Sequence, residues 1–125
     1  MLRVKDLERS LEFYIHKLGM RLLRRKDFPE DRFTLAFIGY GEERDVGVLE
    51  LTHNWGEGEY SIGTAYGHIA IGVTDVYAAV KALDLLGVRV TRPPGPLKGD
   101  PDEHIAIVQD PDGYKIELIQ SRQGG

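Results

Sequence analysis

Apolar and polar residues alternate where the chain begins. Leu2 and Val4 are apolar and Arg3 and Lys5 are charged, so MLRVKD reads as a strand with two unlike faces. The period then lengthens. Asp6 is a good helix N-cap, Leu7, Leu11, Tyr14, Ile15 and Leu18 recur at helical spacing, and Gly19 is a fitting stop. MRLL (20–23), FTLAFIGY and VGVLELT return to strand patterning, which gives the order βαβββ.

The same order is written again from His68. HIAIGVTD reads as a strand ending on a second N-cap candidate, Asp75. Val76, Val80 and Leu83 form a helical stripe, and Gly87 ends it. LGVRV (86–90) echoes LGMRL (18–22). A Pro/Gly-rich loop, PPGPLKGDP, follows, and then the strands HIAIVQ and YKIELI joined by a DPDG turn (110–113). KIELI closes this half as VLELT closes the first. Two capped helices ending in Gly, two LG-x-R echoes and two apolar-Glu-apolar strands in one order indicate an internal duplication. The predicted class is α+β: one domain over 1–125, with module one at about 1–55 and module two at about 66–121.

Composition narrows the function classes. With 125 residues, 42% apolar and 29% charged, the chain has the make-up of a single globular domain with a real core. No apolar run approaches the ~18 residues of a membrane span, and the N-terminal stretch is expected to carry no signal peptide. Net charge is −4, and the RLLRRK patch (21–26) lies inside a mixed-charge chain, so neither nucleic acid nor membrane is an expected partner. There are no cysteines. A cytoplasmic location is the default, and any metal must be held by His, Asp, Glu or neutral oxygen.

Two carboxylates then stand out. Glu50 sits between Leu49 and Leu51, and Glu117 between Ile116 and Leu118. Strand side chains alternate between faces. If the aliphatic residues pack under the helices, each Glu points to the opposite face. One such Glu fits an exposed sheet face; two at equivalent points of a duplicated unit point to a shared cavity. His68 fits the same scheme, because Ile69, Ile71 and Val73 form the buried set and Ala70 and Gly72 leave room beside it. One His and two Glu make a hard-to-borderline divalent site suited to Ni²⁺, Zn²⁺, Co²⁺, Mn²⁺ or Fe²⁺, and the residues alone choose none of these. The other histidines read differently: His104 as a strand-end residue, His53 as packed on the helix face, His16 as exposed on the first helix. Aligning Asp6 with Asp75 pairs Gly72 with Arg3. Arg3 is then either a cavity-facing cation suited to a substrate carboxylate or an ordinary strand-end charge. The same alignment places the partner of His68 two residues ahead of Met1.

MLRVKDLERSLEFY, LGMRLLRRKDFPEDRFTLAFIGYG, LELTHNWG, GTAYGHIAIGVTDVY and DPDGYKIELI together resemble glyoxalase I (lactoylglutathione lyase) of the vicinal oxygen chelate superfamily, over almost the whole chain. The lack of long insertions is similar to the short bacterial type, commonly activated by nickel or cobalt, with zinc as the other option. The resemblance implies paired βαβββ modules forming curved mixed sheets, and a homodimer with active sites at the interface. Glu50 of one subunit would join His68 and Glu117 of its partner as metal ligands. It implies isomerisation of the methylglyoxal–glutathione hemithioacetal to S-lactoylglutathione through an enediolate. Glu117 is then the main base and Glu50 the group on the other face of the substrate. Arg3 and Asn54 match positions that hold the γ-glutamyl end of glutathione, and Lys98 is the candidate for the glycyl carboxylate; on spacing alone Asn54 and Lys98 read as loop polar residues.

The family's first ligand, a His or Gln, falls two residues before the ML of MLRV. Three expectations compete: a truncated start, which is favoured, a site of three protein ligands plus an extra water, or a chain that has lost the lyase activity. Other superfamily enzymes (an epimerase, a dioxygenase or a thiol transferase) and an inactive binding module are the alternatives. Glu50, as an extra carboxylate, argues against the two-His-one-carboxylate iron of a dioxygenase.

Overall fold

The computed structural model describes residues 1–121. The chain divides between Ser61 and Ile62 into two compact units. The first contains β1 (Leu2–Arg3), α1 (Leu7–Leu11), β2 (Arg21–Phe28), β3 (Phe33–Gly39) and β4 (Leu49–Asn54). The second contains β5 (Ile69–Val73), α2 (Val76–Leu85), β6 (Arg89–Pro96), β7 (His104–Gln109) and β8 (Lys115–Gln120). Each is a βαβββ module, as the pattern of the sequence predicts. Each builds a four-stranded mixed sheet, in the orders β1-β4-β3-β2 and β5-β8-β7-β6. The first strand of each module runs parallel to the last, and the other pairings are antiparallel.

The duplication reaches down to register. Glu50 lies beside Phe37, which lies beside Arg24; Glu117 lies beside Ile107, which lies beside Arg92. The β2–β3 ladder slips between Leu22 and Arg24, and the β6–β7 ladder slips at the matching place, between Val90 and Arg92. A bulge inserts a residue and re-aims the side chains after it, so both arginines are turned by the same device.

One side of each sheet is buried beneath its helix. In the first module Val4, Tyr14, Ile38 and Leu51 are fully buried, and in the second Val76, Val108, Ile116 and Leu118. Each such aliphatic side chain contributes about 1.5–3 kcal/mol by leaving water, and this fixes which strand face is turned away from the helix. Among the described residues, no helix is long and apolar enough to cross a membrane.

The two helices differ in an informative way. Both start on an Asp in extended conformation whose carboxylate accepts backbone N–H bonds: Asp6 from Arg9, and Asp75 from Tyr77 and Ala78. Both end at a glycine with positive φ, 79° at Gly19 and 81° at Gly87. Gly87 follows Asp75 by twelve residues, but Gly19 follows Asp6 by thirteen. The additional residue is absorbed as a π-helical turn over Glu12–Lys17, with the Leu18 N–H donating to the Phe13 carbonyl at 2.9 Å. This corrects the expectation of one regular helix with a stripe ending in Ile15 and Leu18. The wide turn rotates Phe13 (3% exposed) and Tyr14 (0%) into the core and leaves Ile15 and Leu18 half-buried.

Four strand limits also differ from the sequence reading. β4 begins only at Leu49, so Val46, Gly47 and Val48 of VGVLELT lie outside it. The ladder of β1 holds only Leu2 and Arg3, prolonged by the Val4 N–H donating to the Thr52 carbonyl. At the far edge of the same sheet, β2 runs on through Arg24, Arg25, Lys26 and Asp27; a charged, largely exposed edge strand discourages pairing with another chain. In the second module β6 continues through Pro93, Pro94 and Pro96, where a loop was expected. Proline lacks the N–H a central strand requires and is tolerated at an edge. There the Arg92 guanidinium supplies donors instead, to the carbonyls of Pro93, Gly95, Pro96 and Ile105 at 2.9–3.2 Å.

Candidate active site

In the second module, β5 and β8 run side by side with Ala70 next to Glu117. Ile71, Ile116 and Leu118 are buried toward α2, so Glu117 is directed to the face without a helix. Ala70 and Gly72 flank it with little side chain. His68, just ahead of β5, brings its Nε2 to 3.5 Å from Glu117 Oε1; the side chains are 45% and 16% exposed, respectively. That separation is long for a strong N–H···O bond. An imidazole and a carboxylate so close are the donor types a borderline divalent ion takes. On donor chemistry, His68 and Glu117 therefore fit two positions of one divalent site.

The segments carrying this pair are held from behind. The Asp110 carboxylate, 5% exposed, accepts from the N–H groups of Asp112 and Tyr114, both at 2.9 Å. Gly113, with φ 92°, completes the DPDG turn. The Tyr114 ring meets the Tyr66 ring at 5.2 Å between centroids, 62° apart. The Tyr66 hydroxyl donates to the Lys115 carbonyl at 2.9 Å. Burial, with added repulsion from the charges of Asp110 and Tyr114, pushes the Tyr66 phenol up to about 12.

In the first module, Glu50 occupies the equivalent position on β4, half-buried beside Phe37. The next residue across is Arg24, whose guanidinium carbon stands 3.6 Å over the Phe37 ring centroid. Arg24 donates to Glu43 through Nε at 2.6 Å and Nη2 at 3.4 Å. This bond holds Arg24 above its ordinary pKa; the charges of Glu43 and Glu50 add to the effect against a desolvation penalty. From the sequence, Arg24 reads only as part of a mixed-charge patch. The signal available was the repeat itself, since Leu18/Leu86, Arg21/Arg89 and Arg24/Arg92 share one spacing.

Arg3 is exposed between buried Leu2 and Val4 and is in register with Thr52, so it shares a sheet face with Glu50 and Asn54. Asn54 donates to the Tyr60 hydroxyl at 3.3 Å. Lys98 is exposed on a loop of the other module, closed by the Leu97 N–H donating to the Glu103 carbonyl. The structure thus brings His68 to Glu117, and sets Arg3, Glu50 and Asn54 on one face of the first sheet. Among the described residues of the single chain, no three His, Cys, Asp or Glu side chains are grouped closely enough to hold an ion. The remaining histidines take the places expected of them. His53 is half-buried with Nδ1 3.4 Å from the Val4 carbonyl, His104 opens β7 with Nδ1 2.7 Å from the Tyr77 hydroxyl, and His16 is exposed beside Glu12.

A duplicated βαβββ sheet with a His–carboxylate pair on its helix-free face narrows the class, and comparison with known proteins agrees. Residues 1–118 match the Glyoxalase/Bleomycin resistance protein/Dioxygenase superfamily, and the chain belongs to that family. It is 58% identical over 124 residues to lactoylglutathione lyase of Neisseria meningitidis serogroup B, covering 99% of this chain and 89% of the relative. It is 55% identical over 122 residues to lactoylglutathione lyase of Haemophilus influenzae, covering 98% and 90%. Glyoxalase I from Zea mays superposes with a TM-score of 0.93 at 45% identity, over 98% of this chain and 43% of the maize chain. The trypanothione-dependent glyoxalase I of Leishmania major superposes with a TM-score of 0.85 at 46% identity, over 96% of this chain and 83% of that one.

Proposed function

We propose that this chain is a metal-dependent lactoylglutathione lyase, acting as a cytoplasmic homodimer on the hemithioacetal of methylglyoxal and glutathione. The observation that carries the reading is the His68–Glu117 pair, with Glu50 at the equivalent register position of the other module. His68, Glu117 and Glu50 would hold the ion, with Glu50 contributed by the partner protomer. Ni²⁺ or Co²⁺ is the preferred occupant and Zn²⁺ the other. When bound, the ion supplies Lewis-acid charge that offsets negative charge developing on the substrate oxygens, worth several kcal/mol.

The chain's own groups do the rest. The reaction moves a carbon-bound proton from the carbon bearing sulfur and the hydroxyl to the neighbouring carbonyl carbon, and the hydroxyl proton passes to the oxygen of that second carbon, so the first carbon becomes the thioester carbonyl. Glu117 takes and returns the carbon-bound proton. A carboxylate with a reference pKa of ~4.3 is ionised at neutral pH and is a modest base in water. Ile107, in register with Glu117 on β7, shares its sheet face and gives the carboxylate an apolar neighbour. Glu50 serves the opposite face of the substrate. Arg3 and Asn54 hold the γ-glutamyl end of the thiol, and Lys98 meets its glycyl carboxylate. Glutathione is the assigned thiol carrier, and trypanothione is the rival to test because a relative 46% identical depends on it.

Glu117→Gln tests the assignment. It should leave the oligomeric state unchanged and lower turnover of the hemithioacetal by about 10²–10⁴-fold. Near-full activity in this variant would remove Glu117 as the principal base.

A further inference from the structure

We propose that Tyr66 is the positioning residue of the His68–Glu117 pair, tying the segment that carries His68 to the strand that carries Glu117. The inference rests on the reading of this pair as metal ligands.

The β5–β8 ladder begins at Ile69 and Ile116. His68 lies one residue outside it, so strand pairing fixes Glu117 and leaves the His68 ring to be placed by what precedes it. Two residues upstream, the Tyr66 hydroxyl donates to the carbonyl of Lys115 at 2.9 Å, and Lys115 stands two residues upstream of Glu117. The bond therefore extends the pairing of the two segments beyond the end of the ladder. Its anchor is stiff. The ring of Tyr66 rests against Tyr114, which is 9% exposed and has its N–H held by the buried Asp110 carboxylate. Groups behind a metal ligand fix its orientation and so limit the entropy lost when the ion binds.

Tyr66→Phe removes one hydroxyl and keeps the ring contact, so the variant retains its fold. The test titrates the metal-free protein with Ni²⁺ alone by calorimetry and follows the His68 imidazole resonances by NMR. The expected result is a Kd for Ni²⁺ weakened about tenfold, at the low end for groups that orient ligands, with the His68 resonances broadened before metal is added. A purely structural tyrosine would lower the thermal midpoint and leave both readouts unmoved. Unchanged Ni²⁺ affinity in Tyr66→Phe, with binding lost in His68→Ala, overturns the role of Tyr66 alone. Unchanged affinity in His68→Ala shows that the pair is not a metal site, and the proposal falls with it.

Discussion

The residues that matter most here are polar groups placed where the local pattern calls for apolar ones. Glu50 and Glu117 are conspicuous inside LEL and IEL, and His68 precedes an apolar strand, so alternation alone places them on the helix-free face. Tyr66, Arg24 and Arg92 were not legible in the same way. Their partners, Lys115, Glu43 and the Ile105 carbonyl of β7, are set by tertiary folding; the repeat spacing marks Arg24 and Arg92 as equivalent but not what they bind, and Tyr66 carries no mark at all. Tyr66 also carries a pH signature. Its phenol is raised from 10.0 to about 12 by burial, so below pH 10 folded and unfolded chains both keep the proton. Between these values the unfolded chain gives it up first, and stability falls as pH rises. The wild type should therefore lose more stability than Tyr66→Phe between pH 10 and 12, measured by urea denaturation at each pH. Equal losses would show that the half-buried phenol contributes nothing to alkaline unfolding.

At the scale of elements, helix starts and stops were readable because Asp caps and positive-φ glycines are local chemistry. The π-turn was not, although its cause can be counted: one more residue between Asp6 and Gly19 than between Asp75 and Gly87. Single-turn π-bulges within helices absorb such an excess. The path of β6 was missed for a different reason. Three prolines in PPGP signal a break, and only the tertiary position of Arg92 shows how an edge strand survives them. Arg92→Met keeps much of the aliphatic stem and removes the donors. It should destabilise the protein by about 1.5–3 kcal/mol, the usual range for hydrogen bonds to a charged group, and speed amide exchange along β6. Chemical denaturation and hydrogen exchange measure both; a change below about 0.5 kcal/mol, the level of an uninvolved surface substitution, would show that the guanidinium contacts do not hold the strand.

At the scale of the whole molecule, the duplication links fold to function. Equivalent registers put Glu50 and Glu117 at the same point of two sheets, and matching bulges turn Arg24 and Arg92 alike. The modules have since diverged: Arg24 stacks on Phe37 beside Glu50, whereas Arg92 is committed to backbone carbonyls. A repeat is legible in a single sequence because it supplies its own comparison, and it yielded the βαβββ order and the paired carboxylates together. What the repeat could not supply is how the three proposed ligands would come together, since His68 and Glu117 meet within one module while Glu50 belongs to the other. The proposed activity therefore depends on metal chemistry at that pair. Its most direct test is turnover of the methylglyoxal–glutathione hemithioacetal by the purified protein, stripped of metal and then reloaded with Ni²⁺, Co²⁺ or Zn²⁺. S-lactoylglutathione formation is expected to be lost on stripping and to recover on reloading, most with Ni²⁺ or Co²⁺. Failure to form the thioester with any of the three ions would contradict the proposed activity.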